Sequence, residues 1–233
     1  MKKIIENSNY IVVMTGAGFS TDSGIPDFRG PDGIYSKSLS ANPEYYLSRD
    51  CLVNEPKVFF DYYRNNMMFA DIKPNAAHLA LAKLEKDGKV KAVVTQNIDG
   101  LHQKAGSNNV IELHGSAARC YCENCNKKFT DTYIKNYKGK IPCCNNCGGV
   151  VRPDITLYGE SLDMGSVNDA INEIQSADTL IVAGTSLTVN PAASLVNYFR
   201  GKHFVIINYS ETPYDNIAEL IIRKNISEVF CEL

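Results

Sequence analysis

Thr95-Gln96-Asn97-Ile98-Asp99-Gly100-Leu101-His102 gathers two amides, a carboxylate and an imidazole in one short stretch. It follows Val90-Lys91-Ala92-Val93-Val94, a β-type run. In an α/β protein the residues just past a strand's C-terminal end line the ligand crevice. A loop built only to connect draws on Gly, Pro and Ser, so this composition points to binding or catalysis, with a polar Asx turn as the plain alternative. Further on, His114 precedes Gly115 after strand-like Val110-Ile111-Glu112-Leu113. An imidazole with a pKa near about 6.5 can accept a proton at neutral pH. His78, on a helix, and His203, at a strand start, read as structural, and His102 as support for its own loop.

Six of the eight cysteines lie between Cys120 and Cys147. Such clustering argues for metal rather than a disulfide framework. Cys122-x2-Cys125 and Cys144-x2-Cys147 are separated by 18 residues. Each pair can chelate from a tight turn, and four thiolates complete a tetrahedral zinc site with no open position, hence a structural one. Cys120 and Cys143 are spares, because only Cys122 and Cys144 preserve both short gaps.

Three further stretches have weaker meaning alone. Gly16-Ala17-Gly18 can bring backbone N–H groups to a pyrophosphate. Thr21 stands where the last glycine of G-x-G-x-x-G would fall, and no Gly-Lys-Ser/Thr follows, so a plain tight turn is the alternative. Gly24-Ile25-Pro26-Asp27-Phe28-Arg29-Gly30 offers a guanidinium for a phosphate and a ring for a flat ligand, or simply a surface ion pair. Gly184-Thr185-Ser186 and Asn208 end strands where a doubly wound sheet holds its ligand.

The elements that must position these residues alternate. Strands are expected at 11–15, 90–94, 179–183 and 204–207. Asn75 can cap a helix through Ala77, Leu81 and Leu84, stopped by Gly88. Val167, Ala170, Ile171 and Ile174 recur at helical spacing after a Ser166 cap. Pro191 can start a helix through Leu195, Val196 and Phe199. Alternation of this kind implies an α/β fold with a doubly wound parallel sheet. Residues 31–70 and 119–153 break the pattern and are read as insertions that pack into a smaller second domain. The large domain then comprises 1–30, 71–118 and 154–233.

The 233-residue chain is 44% hydrophobic and 21% charged, which fits a globular protein. A net charge of -2 gives no global attraction to DNA or anionic membrane. No apolar run approaches the ~20 residues of a membrane span. The charged start, Met1 to Asn7, lacks a signal-peptide core, so a cytoplasmic location is expected.

Taken together, these pieces resemble the sirtuin family of NAD-dependent protein deacylases, in its compact bacterial form. The matching motifs are GAGFS at 16–20, GIPDFRG at 24–30, TQNIDGLH at 95–102, HG at 114–115 and the two CxxC pairs. RPDITLYGE at 152–160, GTS at 184–186 and INYSET at 207–212 also match. The resemblance implies a Rossmann-type large domain and a small domain of a zinc ribbon and a helical module. It places Gly16, Ala17, Gly18, Thr21, Phe28 and Arg29 on the dinucleotide loop. Gln96, Asn97, Ile98 and Asp99 fall on the nicotinamide and ribose pocket. Gly184, Thr185, Ser186, Asn208 and Lys224 fall on phosphate, ribose and adenine contacts. His114 falls on the general base, and Asn97 and Asp99 are the other catalytic residues implied. Thr156, Tyr158, Gly159 and Val189 fall where an acyl-lysine peptide inserts as an added strand. The implied cofactors are NAD and zinc, and the implied products are free lysine, nicotinamide and O-acyl-ADP-ribose.

Two departures from the commonest family pattern bear on the substrate. Tyr158 adds a hydroxyl to a usually apolar wall. Tyr63 and Asn66 lie near where desuccinylating sirtuins carry Tyr and Arg, and only the tyrosine is present. Acetyl or other neutral acyl groups are therefore expected over acidic ones. The chief rival is a protein ADP-ribosyltransferase using the same NAD site. A nucleic-acid-binding zinc ribbon would use Arg119, Lys127, Lys128, Lys135, Lys138, Lys140 and Arg152, although a solvated face accounts for these equally. The incomplete glycine fingerprint speaks against a dehydrogenase.

Overall fold

A computed structural model describes residues 1–27, 33, 43–68 and 71–233. Six strands form one parallel sheet: β1 Ile11–Thr15, β2 Val90–Thr95, β3 Val110–Glu112, β7 Thr179–Ala183, β8 His203–Ile207 and β9 Leu220–Ile222. Their spatial order is β3-β2-β1-β7-β8-β9. Strands therefore grow outward from β1 in one direction and, starting at β7, in the other. The reversal between β1 and β7 is the switch point at which such sheets open a ligand crevice.

β1 and β7 are buried at every residue. Alternate side chains serve opposite faces, as the two-residue period of a strand demands. Val12, Met14, Leu180 and Val182 pack on one side with Val167, Ala170 and Ile174 of the helix Met164–Ser176. Ile11, Val13, Ile181 and Ala183 pack on the other with Leu81 of the helix Ala76–Lys86 and Phe230 of the helix Ile226–Cys231. Each fully buried aliphatic side chain of this kind contributes about 1.5–3 kcal/mol.

Between β3 and β7 the chain departs from the parallel sheet. β4 Gly115–Cys122, β5 Lys128–Thr130 and β6 Val151–Ile155 form a second, antiparallel sheet in the order β5-β4-β6. The helices Pro43–Tyr46, Arg49–Asn54 and Pro56–Asn66 lie in the other irregular stretch. Phe59, Phe60 and Tyr63 from that stretch share a third core with Cys120, Ile134 and Val151. Two segments far apart in sequence thus bury one apolar face against each other.

Two local expectations are corrected, and one strand is added. Asp163, rather than Ser166, caps the helix Met164–Ser176, accepting from the Ser166 N–H at 2.8 Å. A carboxylate three residues upstream reaches that orphan amide directly, so the helix starts earlier. The helix expected from Pro191 is a 3-10 helix, Ala192–Tyr198. Strand β9 is not read from the sequence: Leu220 and Ile222 are only partly buried, Ile221 is exposed, and three residues are too few to show a period. Among the described residues no helix is long and apolar enough to cross a membrane.

Candidate active site

Thr15, Thr95 and Ala183 stand in register at the carboxyl ends of β1, β2 and β7. The next residues leave the sheet together, held by its own backbone. Gly16 N–H donates to Ala183 O at 3.1 Å, and Gln96 N–H to Thr15 O at 2.9 Å. Gly18 N–H reaches Gly184 O at 2.8 Å. This approach requires glycine. A Cβ on Gly18 would come 2.9 Å from Gly184 Cα, and one on Gly184, where φ is +68°, would come 2.3 Å from Phe19 N.

Beyond these strand ends lies a cleft of about 1210 Å³. Ala17, Gly18 and Thr21 line it, as do Gln96, Asn97, Ile98, Asp99 and His114. Gly184, Thr185, Ser186, Val189, Asn208, Thr156, Tyr158, Gly159 and Tyr63 line it as well. Gly16 does not line it but lies beneath, where an added Cβ would meet Thr185 Cβ at 2.6 Å. Lys224 is not among the lining residues, although its neighbours Asn225 and Ile226 are. Phe28 and Arg29 lie outside the described residues. Asn66 turns its amide to Tyr62 O at 2.9 Å and is not in the lining.

The loop after β2 is tied down on both sides. Asn97 Nδ2 donates to Gly16 O at 3.0 Å and to Ser20 Oγ at 3.2 Å. Ser20 in turn donates to Asp99 Oδ2 at 2.7 Å, and Leu101 N–H donates to Asp99 Oδ1 at 2.9 Å. Burial raises the Asp99 pKa, against these two hydrogen bonds and the charge of Lys104, which pull it down. Gln96 Nε2 donates to Thr185 Oγ1 at 3.1 Å, joining the β2 and β7 loops. Ser20 was not singled out in the sequence; its place within GAGFS was the available signal.

His114 Nδ1 lies 2.9 Å from Gln96 O. A carbonyl only accepts, so Nδ1 carries the proton and Nε2 keeps its lone pair. Burial lowers the His114 pKa below the ordinary histidine value, outweighing that hydrogen bond, which raises it. Gly115, at φ +73°, makes the turn into β4, and a Cβ there would strike Asp154 O at 2.2 Å. At neutral pH the result is a neutral imidazole of fixed tautomer facing a cleft, the form a general base needs. The other histidines differ. His203 Nδ1 meets Glu219 Oε2 at 2.6 Å, and His78 closes a capping box with Asn75.

The far wall of the cleft is apolar, built from Leu47, Met67, Met68, Ile155 and Leu157 with Ile98. Tyr158 is fixed by its backbone, donating to Leu47 O at 3.0 Å and accepting from Arg49 N–H at 2.9 Å. Arg152 organises this loop. It is 1% exposed, donates to Ile155 O at 2.7 Å and grips both carboxylate oxygens of Glu160, at 2.5 and 3.0 Å. Glu160 also accepts from Leu157 N–H at 2.9 Å. Burial raises the Glu160 carboxyl, but Arg152 and that amide together hold it below the usual value. The stabilisation is thus complete above the unfolded carboxyl's pKa and is lost as pH falls through the lower folded value. Arg152→Leu should destabilise by about 3 kcal/mol, the low end for breaking a buried pair, because Glu160 keeps some solvent. A shift of the urea midpoint at pH 7 checks this.

The four paired cysteines converge. Cys122, Cys125, Cys144 and Cys147 place their sulfurs all within 4.8 Å of one another. Cys122 to Cys147 is 3.4 Å and Cys125 to Cys144 is 3.7 Å. A tetrahedron with Zn–S of about 2.3 Å has edges of roughly 3.8 Å, so the donor set fits zinc. Asn124 and Asn146 direct backbone N–H groups at Cys122 and Cys144 sulfurs, each at 3.4 Å, the hydrogen bonding a thiolate requires. Cys120 sits fully buried in the third core, its pKa pushed up to about 12 by burial, and Cys143 points to Ile141 O. Both stay outside the cluster.

The comparisons agree with this geometry. The Sir2 family model matches residues 16–191. An NAD-dependent protein deacetylase of Clostridium tetani is 50% identical over 231 residues, spanning 98% of this chain and 94% of that protein. One from Staphylococcus epidermidis is 47% identical over 235 residues, spanning 100% of this chain and 95% of its own length. A solved Sir2–p53 peptide–NAD+ structure has a TM-score of 0.88 at 40% identity, covering 99% of this chain and 94% of that one. Sir2Tm bound to a propionylated peptide gives 0.89 at 38% identity, with 99% and 94% covered. A family model spanning most of the chain, and relatives half identical along nearly all of it, establish that this chain belongs to the Sir2 family.

Proposed function

We infer that this chain is an NAD-dependent protein-lysine deacylase that releases nicotinamide and O-acyl-ADP-ribose. The observation that carries the reading is the meeting of a neutral, tautomer-fixed His114 with the switch-point loops in one cleft. Relatives half identical to it are NAD-dependent protein deacetylases. When bound, NAD supplies the ADP-ribosyl electrophile, with nicotinamide as its leaving group.

The chain's own residues divide the remaining work. Ala17, Gly18 and Thr21, with Arg29, flank the phosphates above Gly16, which packs beneath the loop, and Phe28 covers a flat ring of the ligand; Gly184, Thr185, Ser186 and Asn208, with Lys224 nearby, hold ribose and adenine. Gln96, Asn97, Ile98 and Asp99 bind the nicotinamide and its ribose. The apolar wall ending at Tyr63 receives the acyl-lysine stem, while the peptide backbone lies along Thr156, Tyr158, Gly159 and Val189 as an added strand. His114 Nε2 accepts the proton of a ribose hydroxyl so that the oxygen can attack the acyl group. Zinc on Cys122, Cys125, Cys144 and Cys147 is structural, since four thiolates leave no open position. The large domain then spans 1–30, 71–118 and 154–233, and the small one 31–70 and 119–153. Asn66 lies outside the lining, which favours neutral acyl groups over succinyl.

The decisive experiment offers the protein NAD and peptides bearing acetyl-, succinyl- or long-chain acyl-lysine, and follows O-acyl-ADP-ribose by mass. Turnover of the neutral acyl peptides is expected. NAD consumption with label appearing on protein and no O-acyl product would identify an ADP-ribosyltransferase instead. Asp99→Asn should lower kcat by at least about tenfold, because it removes the charge of a carboxylate that Ser20 and Leu101 hold in the cleft lining, while thermal stability changes little. Wild-type turnover in that variant removes Asp99 from the site.

A further inference from the structure

We propose that His102 is a positioning residue for the NAD-facing loop, acting through a buried hydrogen-bond staple that runs through Thr15 and Thr95 to the backbone of Asn97. His102 Nε2 lies 2.9 Å from Thr15 Oγ1. The Thr15 hydroxyl donates to Thr95 Oγ1 at 2.9 Å, and Asn97 N–H donates to the same oxygen at 3.0 Å. Thr15, Thr95 and His102 are 0%, 2% and 1% exposed.

The direction of the chain follows from the hydrogens available. A hydroxyl has one proton, and Thr15 gives its proton to Thr95, so Thr15 must accept from His102. His102 is therefore the Nε2–H tautomer. Its Nδ1 is buried and has no hydrogen-bond partner among the described residues. Leaving a buried acceptor unpaired costs about 1–3 kcal/mol. Leucine would fill similar space at no such cost, so packing alone does not account for an imidazole here; the Nε2–H link does.

The staple sits where it can act on the site. Thr15 and Thr95 are register partners at the ends of β1 and β2, and the loops on either side of the cleft begin immediately after them. Asn97, at the staple's end, reaches across to Gly16 O and Ser20, and Ser20 holds Asp99. The His102 ring packs on Phe19 and His78, with centroids 5.1 and 4.8 Å apart. Asn75 Nδ2 anchors the Phe19 carbonyl at 2.8 Å, so the glycine-loop side is held by the same cluster. Burial, with a smaller contribution from His78, lowers the His102 pKa to about 3, so the ring stays neutral across the working range.

This inference rests on the deacylase reading, in which Asn97 and Asp99 serve the nicotinamide end of NAD. They act before nicotinamide leaves, whereas His114 acts after. Losing the staple should therefore slow nicotinamide exchange and deacylation together. His102→Leu, His102→Gln, Thr15→Val and the His102→Leu/Thr15→Val double variant would be assayed well below each one's Tm. The readouts are deacylation kcat, peptide KM and exchange of labelled nicotinamide into NAD. His102→Leu should reduce kcat and exchange in parallel by about 10–100-fold, the scale of a small displacement of reacting groups, with peptide KM unchanged. His102→Gln, which can present an N–H to Thr15, should recover most of the loss. The double variant should be no worse than the worse single one. Wild-type kcat in His102→Leu with only a lowered Tm, no recovery by His102→Gln, or additive losses would each overturn the proposal. Should His102→Leu fail to fold, Thr15→Val and the imidazole nitrogen NMR signals decide, since an Nδ1–H tautomer at His102 refutes the staple whatever the activity. Absence of O-acyl-ADP-ribose from the wild-type protein, with the Nε2–H tautomer present, would instead fault the deacylase reading.

Discussion

His114→Ala should lower deacylation by about 10²–10⁴, the usual effect of losing a general base, while leaving fold and zinc content intact. The expectation rests on protonation as much as on position. Gln96 O holds the Nδ1 proton, leaving Nε2 to accept. Burial lowers the ring's pKa, so the competent neutral form persists to lower pH than for a free histidine. The sign of the pH effect follows. The basic form exists above the folded pKa, so the acid limb of kcat should lie below about 6.5, the unperturbed histidine value. Nicotinamide leaves before this base is needed, so the variant should retain exchange of labelled nicotinamide into NAD. Deacylation at the wild-type rate in His114→Ala removes the residue from the reaction. Loss of exchange and deacylation together, with NAD still bound, would put its action earlier.

Removing zinc should have the largest effect on stability. Apparent binding free energies of structural zinc run to about 10–16 kcal/mol in isolated fingers and appear there wholly as folding free energy. Here the ribbon is also buttressed by Cys120, Ile134 and Val151 in the third core, so only part of that should appear. Even about 3 kcal/mol would lower Tm by roughly 6–12 °C in a chain of this size. Metal analysis of protein purified without chelator should find one zinc per chain, and finding none would refute the site. Cys144→Ala should reproduce the loss, whereas Cys143→Ala should be mild, since Cys143 is only half-buried and outside the cluster. Because β6 leads directly into the loop held by Arg152 and Glu160, zinc loss should also raise peptide KM.

The features readable from sequence are those carried by residues close together in the chain. Val12, Val13 and Met14, or Leu180, Ile181 and Val182, read as strands because a strand covered on both faces is an unbroken apolar run. The cysteine pairs read as a chelate because each sits within one turn. The loop beyond β2 reads as a site because a strand's end and its polar successor are adjacent in sequence. Arg152 shows the opposite case. By composition it joined the basic residues of a possible nucleic-acid face, yet the fold buries it against Glu160, Ile155 and the Tyr121 ring. The family resemblance places Lys224 at the adenine end, but the cleft is lined by its neighbours Asn225 and Ile226.

Sequence alone marked the α/β alternation, the four paired cysteines and the candidate base. Tertiary structure decided which state those groups are in. Thr15 and Thr95 are 80 positions apart, and His114 and Gln96 are 18 apart. Whether a hydroxyl donates or accepts, and which imidazole nitrogen holds the proton, depends on the partner that strand register brings within about 3 Å. Periodicity and spacing carry no information about that partner, because it arrives from another part of the chain.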